Sequence, residues 1–310
     1  MSEKSKYLEW IEGKKELPIF FQPWYLDLVS TDNVWDVILY EADGEIKAVF
    51  PFCYKKKLGF SKIVMPALLP YLGPWILYPP NASEYERRSL EKKAMQYCIS
   101  KLPPFDDFRQ KFYPSINNWL PFYWAGFEQT TRYTYLIPFE DKKEIKVGYK
   151  DSLKRQIAKA NKNCTYETLQ ELTPFDALFG ATFKRQGIEN PIDIKFLNQY
   201  YQTIKGNNSG QAIIAKDVDN QPLAIILIVW DKTTTYYMAG GFDEKHAQSG
   251  AMSGLFDKAI KEAMHRGQHF NFEGSMIENV EQYFRSFGAQ LQPVLSIWKT
   301  NSKVLKTFAK

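Results

Sequence analysis

Histidine and cysteine are scarce in this chain, three of each in 310 residues, and the scarcity removes whole classes of chemistry. Cys53, Cys98 and Cys164 are odd in number, far apart and without a C-x-x-C spacing, so they build neither a disulfide framework nor a zinc site. A reducing compartment is the simpler reading. His246, His265 and His269 form no H-E-x-x-H pair, and no serine sits in a G-x-S-x-G elbow, which takes away the usual parts of a zinc protease and a serine hydrolase. A capping or surface role suits His265 and His269, which flank a glycine helix end, better than metal ligation, and no metal is expected. No Walker-type phosphate loop and no G-x-G-x-x-G turn is present, so nucleotide-driven and dinucleotide chemistry lack their cradle.

Long hydrophobic runs are also lacking. The longest in a strand-like segment, 224–230, is short, and the apolar stretch 65–80 is broken by Pro66, Pro70, Pro74, Pro79 and Pro80, so neither supplies the roughly 20 residues of a spanning helix. Residues 1–15 are polar and lack the apolar centre of a signal peptide, so the expectation is a cytoplasmic protein with no transmembrane segment. Leu68, Leu69, Tyr71, Leu72, Trp75, Ile76 and Leu77 have two readings, buried strand and loop packing or a surface for peripheral membrane contact. Forty basic residues against 35 acidic ones leave a net charge of +5, an excess that permits an anionic ligand without demanding nucleic acid; no DNA partner is expected.

What is present is apolar material for two cores, 45% hydrophobic and 16% aromatic residues, in a length that suggests two domains at roughly 100 to 200 residues each. In the first half a short helix at 24–28 precedes strands at 35–40 and 46–54, joined by the hairpin signal Asp43-Gly44, and a further extended segment. A surface helix at 83–101, a strand at 105–112, a short helix at 116–124 and a strand at 130–137 follow. The charged segment 140–150 reads as a linker into a basic amphipathic helix at 152–162, with Ser152 as its cap and Leu153, Ile157 and Ala160 as its apolar stripe. Beyond it come a strand at 165–169, helices at 174–186 and 193–205, and three strands at 211–216, 222–231 and 233–241 in an antiparallel meander. A helix at 249–266 is stopped by Gly267, and the chain closes with a strand at 269–272, a helix ending before Gly288 and a strand at 291–298.

Polar groups collect where the strand at 269–272 ends. Asn271, Glu273 and Ser275 belong to a Phe-Asn-Phe-Glu-Gly-Ser turn, and Arg285 ends the helix after it; the end of a mixed sheet is where ligands usually sit. Each group has a structural rival. Arg285 either faces developing negative charge or interacts with its helix C-terminus, and Glu273 either orients an amine or caps the next helix. Gly240 and Gly241 form a turn or admit a ligand to the backbone, while the helix opening at Ser249-Gly250-Ala251 offers amides to an anion. Tyr71, Trp75 and Tyr237 read as core or cleft walls. Lys154 and Arg155 are a solvated face or a phosphate contact.

The order strand, two helices, three antiparallel strands, helix, strand, helix, strand resembles the GNAT acetyltransferase fold, in which the fourth and fifth strands splay and the acyl donor enters the gap. The first half reproduces its later portion, with Phe-Arg-Gln-Lys-Phe at 108–112 and Tyr-Trp-Ala-Gly-Phe at 123–127 matching 270–298 by element order. The whole chain resembles the double-GNAT group that includes the Fem-type peptidyl aminoacyltransferases. That resemblance rests on Phe21-Gln22-Pro23-Trp24, Leu68-Leu69-Pro70-Tyr71-Leu72-Gly73-Pro74, the basic helix from Leu153 to Ala160, Phe272-Glu273-Gly274-Ser275 and Tyr283-Phe284-Arg285-Ser286-Phe287-Gly288.

It implies an α+β fold, mixed sheets with helices on both faces, in two tandem GNAT-like domains at 1–140 and 164–310, with 141–163 as charged linker and basic helix. It further implies transfer of an acyl or aminoacyl group to an amine, in the Fem enzymes from charged transfer RNA to a cell-wall peptide precursor. By that similarity Phe284 and Arg285 stand where a Phe-Lys pair serves the reacting carbonyl and the transfer-RNA end, Glu273 orients the amine, and Arg155 and Lys154 hold phosphate. An arginine fork in place of an ammonium changes the geometry. Asp27 stands in the region of a Fem lysine, the Fem coiled-coil arm is absent, and the R/Q-x-x-G-x-G/A loop of acetyl-coenzyme A enzymes has Ala247 and Met252 in two of its slots. No tightly bound cofactor is expected, the donor being aminoacyl-tRNA or acyl-CoA and the acceptor a small-molecule or peptide amine. Two alternatives stand beside this reading: a non-catalytic double-GNAT protein binding an anionic glycan, nucleotide-sugar or lipid-linked ligand, and an acetyl-CoA-dependent N-acetyltransferase. The sequence leaves the oligomeric state open.

Overall fold

A computed structural model describes residues 2–14, 16–140, 148–172, 178–180, 192–274 and 276–308. The chain forms two compact units, one of Met1–Arg132 with Pro293–Lys310 and one of Tyr133–Gln292. The last stretch of chain therefore folds with the first half, not with the half that precedes it.

In the first unit, α1 (Glu3–Ile11) packs Tyr7 and Ile11 inward, and the Tyr7 hydroxyl donates to the Phe21 carbonyl at 2.6 Å. The polar segment expected at 1–15 thus contains a helix, of whose apolar residues only Tyr7 and Ile11 are buried. After α2 (Pro23–Val29), β1 (Val34–Ala42) and β2 (Glu45–Lys57) form the expected hairpin, with both turn residues at positive φ, Asp43 at 55° and Gly44 at 77°. Antiparallel β3 (Phe60–Val64) extends β2, parallel β5 (Asp107–Lys111) extends β3, and the short β4 (Trp75–Ile76) pairs with β2. Between β4 and β5 runs α3 (Glu84–Lys101), opened by a Ser83–Glu86 capping box; α4 (Leu120–Trp124) follows β5. Phe50, Phe108, Phe112 and Phe122 are fully buried at the centre. Leu69, Tyr71, Leu72 and Ile76 are buried too, so these members of the apolar 68–77 group are packing residues and offer no membrane surface.

The second unit takes the later part of β6 (Glu128–Ile137) and opens its own sequence with α5 (Asp151–Asn163). Leu153, Ile157 and Ala160 are buried as their spacing predicts, but the cap is Lys150, without a side-chain hydrogen bond, and Ser152 lies inside the helix. Most of the helix expected at 174–186, and residues 141–147 of the expected linker, lie outside the described residues. From β7 (Thr165–Thr168) the chain runs through α6 (Ile194–Gly206), capped by Asp193, into the meander β8 (Gly210–Lys216), β9 (Pro222–Trp230) and β10 (Thr234–Phe242). Then come α7 (Ala251–His265), β11 (His269–Asn271) and α8 (Glu278–Arg285). Antiparallel neighbours β7, β8, β9 and β10 are followed by β11 parallel to β10 and β6 antiparallel to β11. Strands β10 and β11 pair over three positions only, Thr234–Tyr236 against His269–Asn271, after which β10 bulges near Tyr237 and runs on to Phe242 without β11.

The chain closes with β12 (Gln290–Thr300), whose Ser296 to Thr300 pair with β5 in the first unit, and with α9 (Lys303–Phe308). No helix among the described residues is long and apolar enough to cross a membrane.

Candidate functional site

Two adjoining cavities in the second unit form where α5, α7 and α8 converge. One, of about 470 Å³, is polar and lined by Lys150, Ser152, Gln282 and Arg285 among others. The other, of about 360 Å³, has Leu223, Phe242, Met252 and Val280 in its walls and His246 at its edge. Gln156, Asn279 and Tyr283 line both.

The sequence builds this junction through a close approach of helices. Gly250 caps α7 at φ 79°, and a Cβ there would meet the Gln156 carbonyl oxygen at 2.5 Å, so α7 opens directly against α5 only because the residue is glycine. Gly148 and Gly288 touch in the same way, a Cβ on Gly288 meeting the Gly148 oxygen at 2.6 Å, which brings the start of α5 beside the end of α8. The Lys150 amide donates to the Ser286 carbonyl at 2.9 Å across that contact. Ser253, on the first turn of α7, then reaches both neighbours: its Oγ lies 2.9 Å from Gln156 Oε1 and 2.9 Å from the Tyr283 hydroxyl. Burial pushes the Tyr283 hydroxyl above the ordinary tyrosine pKa, so it stays protonated at neutral pH. The N-cap of α5 makes no side-chain hydrogen bond, whereas at the start of α7 the Ala251 amide donates to Ser249 Oγ at 3.2 Å.

Arg285 lies at the rim of the polar cavity, 63% exposed at its side chain, with Nε 3.1 Å from Glu281 Oε1 one turn back. Glu281 also accepts from the Tyr135 hydroxyl, which burial and that carboxylate push up to about 12. The arginine thus has both its structural partner and access to the cavity.

The other expected residues divide sharply. Phe284 is buried and stacked on Phe272 with centroids 4.8 Å apart, and it lines neither cavity. Asn271 is buried, its Oδ1 accepting from Thr134 Oγ1 at 2.6 Å and from the Glu273 amide at 2.8 Å, which shapes the turn. Glu273 holds that turn at φ 58°, lines neither cavity and is not the cap of α8, a place taken by Ile277. Ser275 lies outside the described residues. Lys154 pairs with Asp151 at 3.1 Å and Arg155 is exposed; neither lines either of these two cavities.

Tyr237 packs on Phe256 at 4.8 Å between centroids. Gly240 and Gly241 lie within β10 rather than in a turn, and a Cβ on Gly241 would meet the Leu178 carbonyl oxygen at 2.1 Å, so its bareness admits the chain's own backbone. Tyr71 and Trp75 belong to the first unit, both against Tyr113.

Sequence reading passed over Lys150, Gln156, Ser253 and Tyr283, and with them His246, whose Nδ1 lies 2.9 Å from Asp243 Oδ2. The Asp-x-x-His spacing was the available signal for the last pair. Gln156 and Ser253 carried none, being ordinary helical polar residues; Lys150 is the cap of α5, and Tyr283 stands in the Tyr-Phe-Arg-Ser-Phe-Gly motif beside the residues chosen from it.

Residues 149–285 match the family model described as an acetyltransferase (GNAT) domain. Among solved structures the chain is similar to FemX, at 13% identity and a TM-score of 0.68, covering 93% of each chain. It is similar to L-PGS from Bacillus licheniformis at 12% identity and a TM-score of 0.57, covering 99% of this chain and 95% of that one. A third is the C-terminal domain of a proposed lysylphosphatidylglycerol synthetase from Agrobacterium fabrum, at 13% identity and a TM-score of 0.56, covering 99% and 96%. No curated protein sequence gives a significant match.

Proposed function

The chain has the double-GNAT fold of the Fem-like acyltransferases, and on that premise we propose that it transfers an acyl group, foremost an aminoacyl group, from a phosphate-bearing donor to an amine. The observation that carries this reading is the contact of Ser253 with Gln156 and Tyr283 at the wall common to a polar and an apolar cavity. Donor phosphate lies against Lys150, Arg285 and the uncapped start of α5, and the reacting carbonyl reaches the common wall.

There the amine attacks the carbonyl carbon of an ester or thioester, the oxyanion collapses, and the leaving oxygen or sulfur takes a proton. Tyr283, kept neutral by burial, donates to the developing charge or to the leaving atom. His246, oriented by Asp243, is the group at the apolar cavity suited to take the proton the amine gives up. Most of the acceleration comes from holding donor and acceptor together.

An aminoacyl-tRNA donor fits better than acyl-CoA, because Ala247 and Met252 stand where the acetyl-coenzyme A loop has other residue types, and both line the apolar cavity. The acceptor is the amine of a cell-envelope or peptide precursor, as the Fem likeness implies. The purified chain, given charged transfer RNA or acyl-CoA with amine acceptors, is expected to form an amide. Tyr283→Phe should lower kcat about 10²- to 10⁴-fold while leaving donor binding in place. Arg285→Ala should weaken donor binding about tenfold. Turnover unchanged in both variants overturns the assignment, and donor binding without transfer in the unaltered chain assigns the fold to a non-catalytic binding protein.

A further inference from the structure

Several of the large apolar side chains that remain exposed in the first unit gather on one side of α3 and α4. On α4, Leu120, Tyr123 and Trp124 are 49%, 59% and 55% exposed, while Pro121 and Phe122 fill the core side of the same turn. Trp119 packs edge-on against Tyr123 at 5.5 Å, enlarging the patch at its base. Tyr85, 82% exposed, lies on the helical face of α3 that also carries Arg88 and Lys92, at i, i+3 and i+7. That face adjoins α4: Arg88 donates to Asn117 Oδ1 at 3.0 Å, and the Lys92 ammonium sits 5.5 Å from the Trp124 ring centroid.

The charges that border the patch without a carboxylate partner are positive. Arg88 is committed to Glu84 and Glu91. Lys92 and Lys299, the latter donating to the Ala125 carbonyl at 2.7 Å, have no carboxylate partner among the described residues. Amphipathic aromatic rings with an aliphatic side chain between them and lysines at the border are the chemistry of a lipid headgroup interface. A polyanion such as RNA draws its affinity from many phosphate contacts, and two free cations are too few for that.

We propose that the face formed by Tyr85, Trp119, Leu120, Tyr123 and Trp124, bordered by Lys92 and Lys299, rests on an anionic phospholipid surface. This is a different surface from the 68–77 stretch, whose side chains are largely spent on the core, and it is independent of the transfer reaction proposed above. The face supplies shallow apolar insertion and the lysines supply attraction to the headgroups.

The test is co-sedimentation of the full chain with vesicles of phosphatidylcholine alone or mixed with phosphatidylglycerol. Binding to the mixed vesicles is expected, with at least about tenfold weaker partition for the double variant Tyr123→Ser, Trp124→Ser and a clear loss for Lys92→Glu. All three positions are exposed, so circular dichroism should be unchanged; should the double variant misfold, Lys92→Glu alone decides. No vesicle binding, or binding equal in the folded variants, overturns the proposal. Patch-dependent self-association or oligonucleotide binding without vesicle binding also overturns it, and assigns the face to a second copy or to nucleic acid.

Discussion

The Glu91 carboxylate is 5% exposed and accepts from the Tyr78 hydroxyl at 2.7 Å, Asn118 Nδ2 at 2.7 Å and Arg88 Nη1 at 2.9 Å. Burial by itself raises its pKa; the hydrogen bonds from Tyr78, Asn118 and Arg88 outweigh that and hold it below the ordinary carboxylate value. A depressed folded-state pKa contributes stability that is present above the unfolded pKa of about 4.3 and is lost as pH falls through the folded value. Glu91→Gln should therefore cost about 1 to 3 kcal/mol at pH 7, by leaving donors poorly matched, and the cost should shrink as the medium is acidified below that unfolded pKa. Urea unfolding of both proteins across that range checks the sign, and a gap that stays constant or widens on acidification would falsify it. A helix reading of 83–101 offers Glu91 only the i, i+3 pair with Arg88; Tyr78 and Asn118 stand 13 and 27 residues away in sequence and meet it only through packing.

Among the elements, the turn after β11 shows how much a local pattern can tell. Gly274 at φ 66° would place a Cβ 2.0 Å from the Tyr133 carbonyl oxygen, whereas Gly59, at φ 80° between β2 and β3, has open space around it. Gly59→Ala should cost about 1 kcal/mol from backbone strain alone. Gly274→Ala adds a clash with backbone that cannot rotate away, so its loss in thermal or urea stability should exceed that of Gly59→Ala by at least about 1 to 3 kcal/mol. Equal losses would mean that the turn moves freely away from β6.

Turn chemistry and periodicity made most strands and helices legible, down to the Asp43-Gly44 hairpin and the stripe of α5. They could not tell Phe284 from Arg285, adjacent residues of which one stacks in the core and the other reaches the polar cavity. Nor could they join Gln156, Ser253 and Tyr283, which lie 97 and 30 positions apart and meet because Gly250 lets two helices touch. The Asn271–Glu273 turn has both a chemical and a structural reading in the sequence, because it stands at the end of a sheet, where ligands usually sit. Its asparagine is spent on Thr134 and on the Glu273 amide.

At the scale of the molecule, the order of the chain and its grouping into units differ. The second unit is one continuous stretch, Tyr133–Gln292, while the first is completed by Pro293–Lys310. In the first unit Ser296 to Thr300 pair with Lys111 to Asp107, Ile297 is fully buried, Lys299 donates to the Ala125 carbonyl and Thr300 Oγ1 to Asp107 Oδ1. Deleting residues 293–310 therefore removes one of the two neighbours of β5 and part of the core under it, a loss of several kcal/mol expected chiefly in that unit. Hydrogen exchange should register it as faster exchange of the β5 amides, with β8, β9 and β10 keeping their protection, since their ladders and the α7 face beneath them contain no residue from the deleted segment. Uniform deprotection of both units would show that they do not fold separately, and unchanged protection of β5 would show that the last strand adds nothing to the first unit.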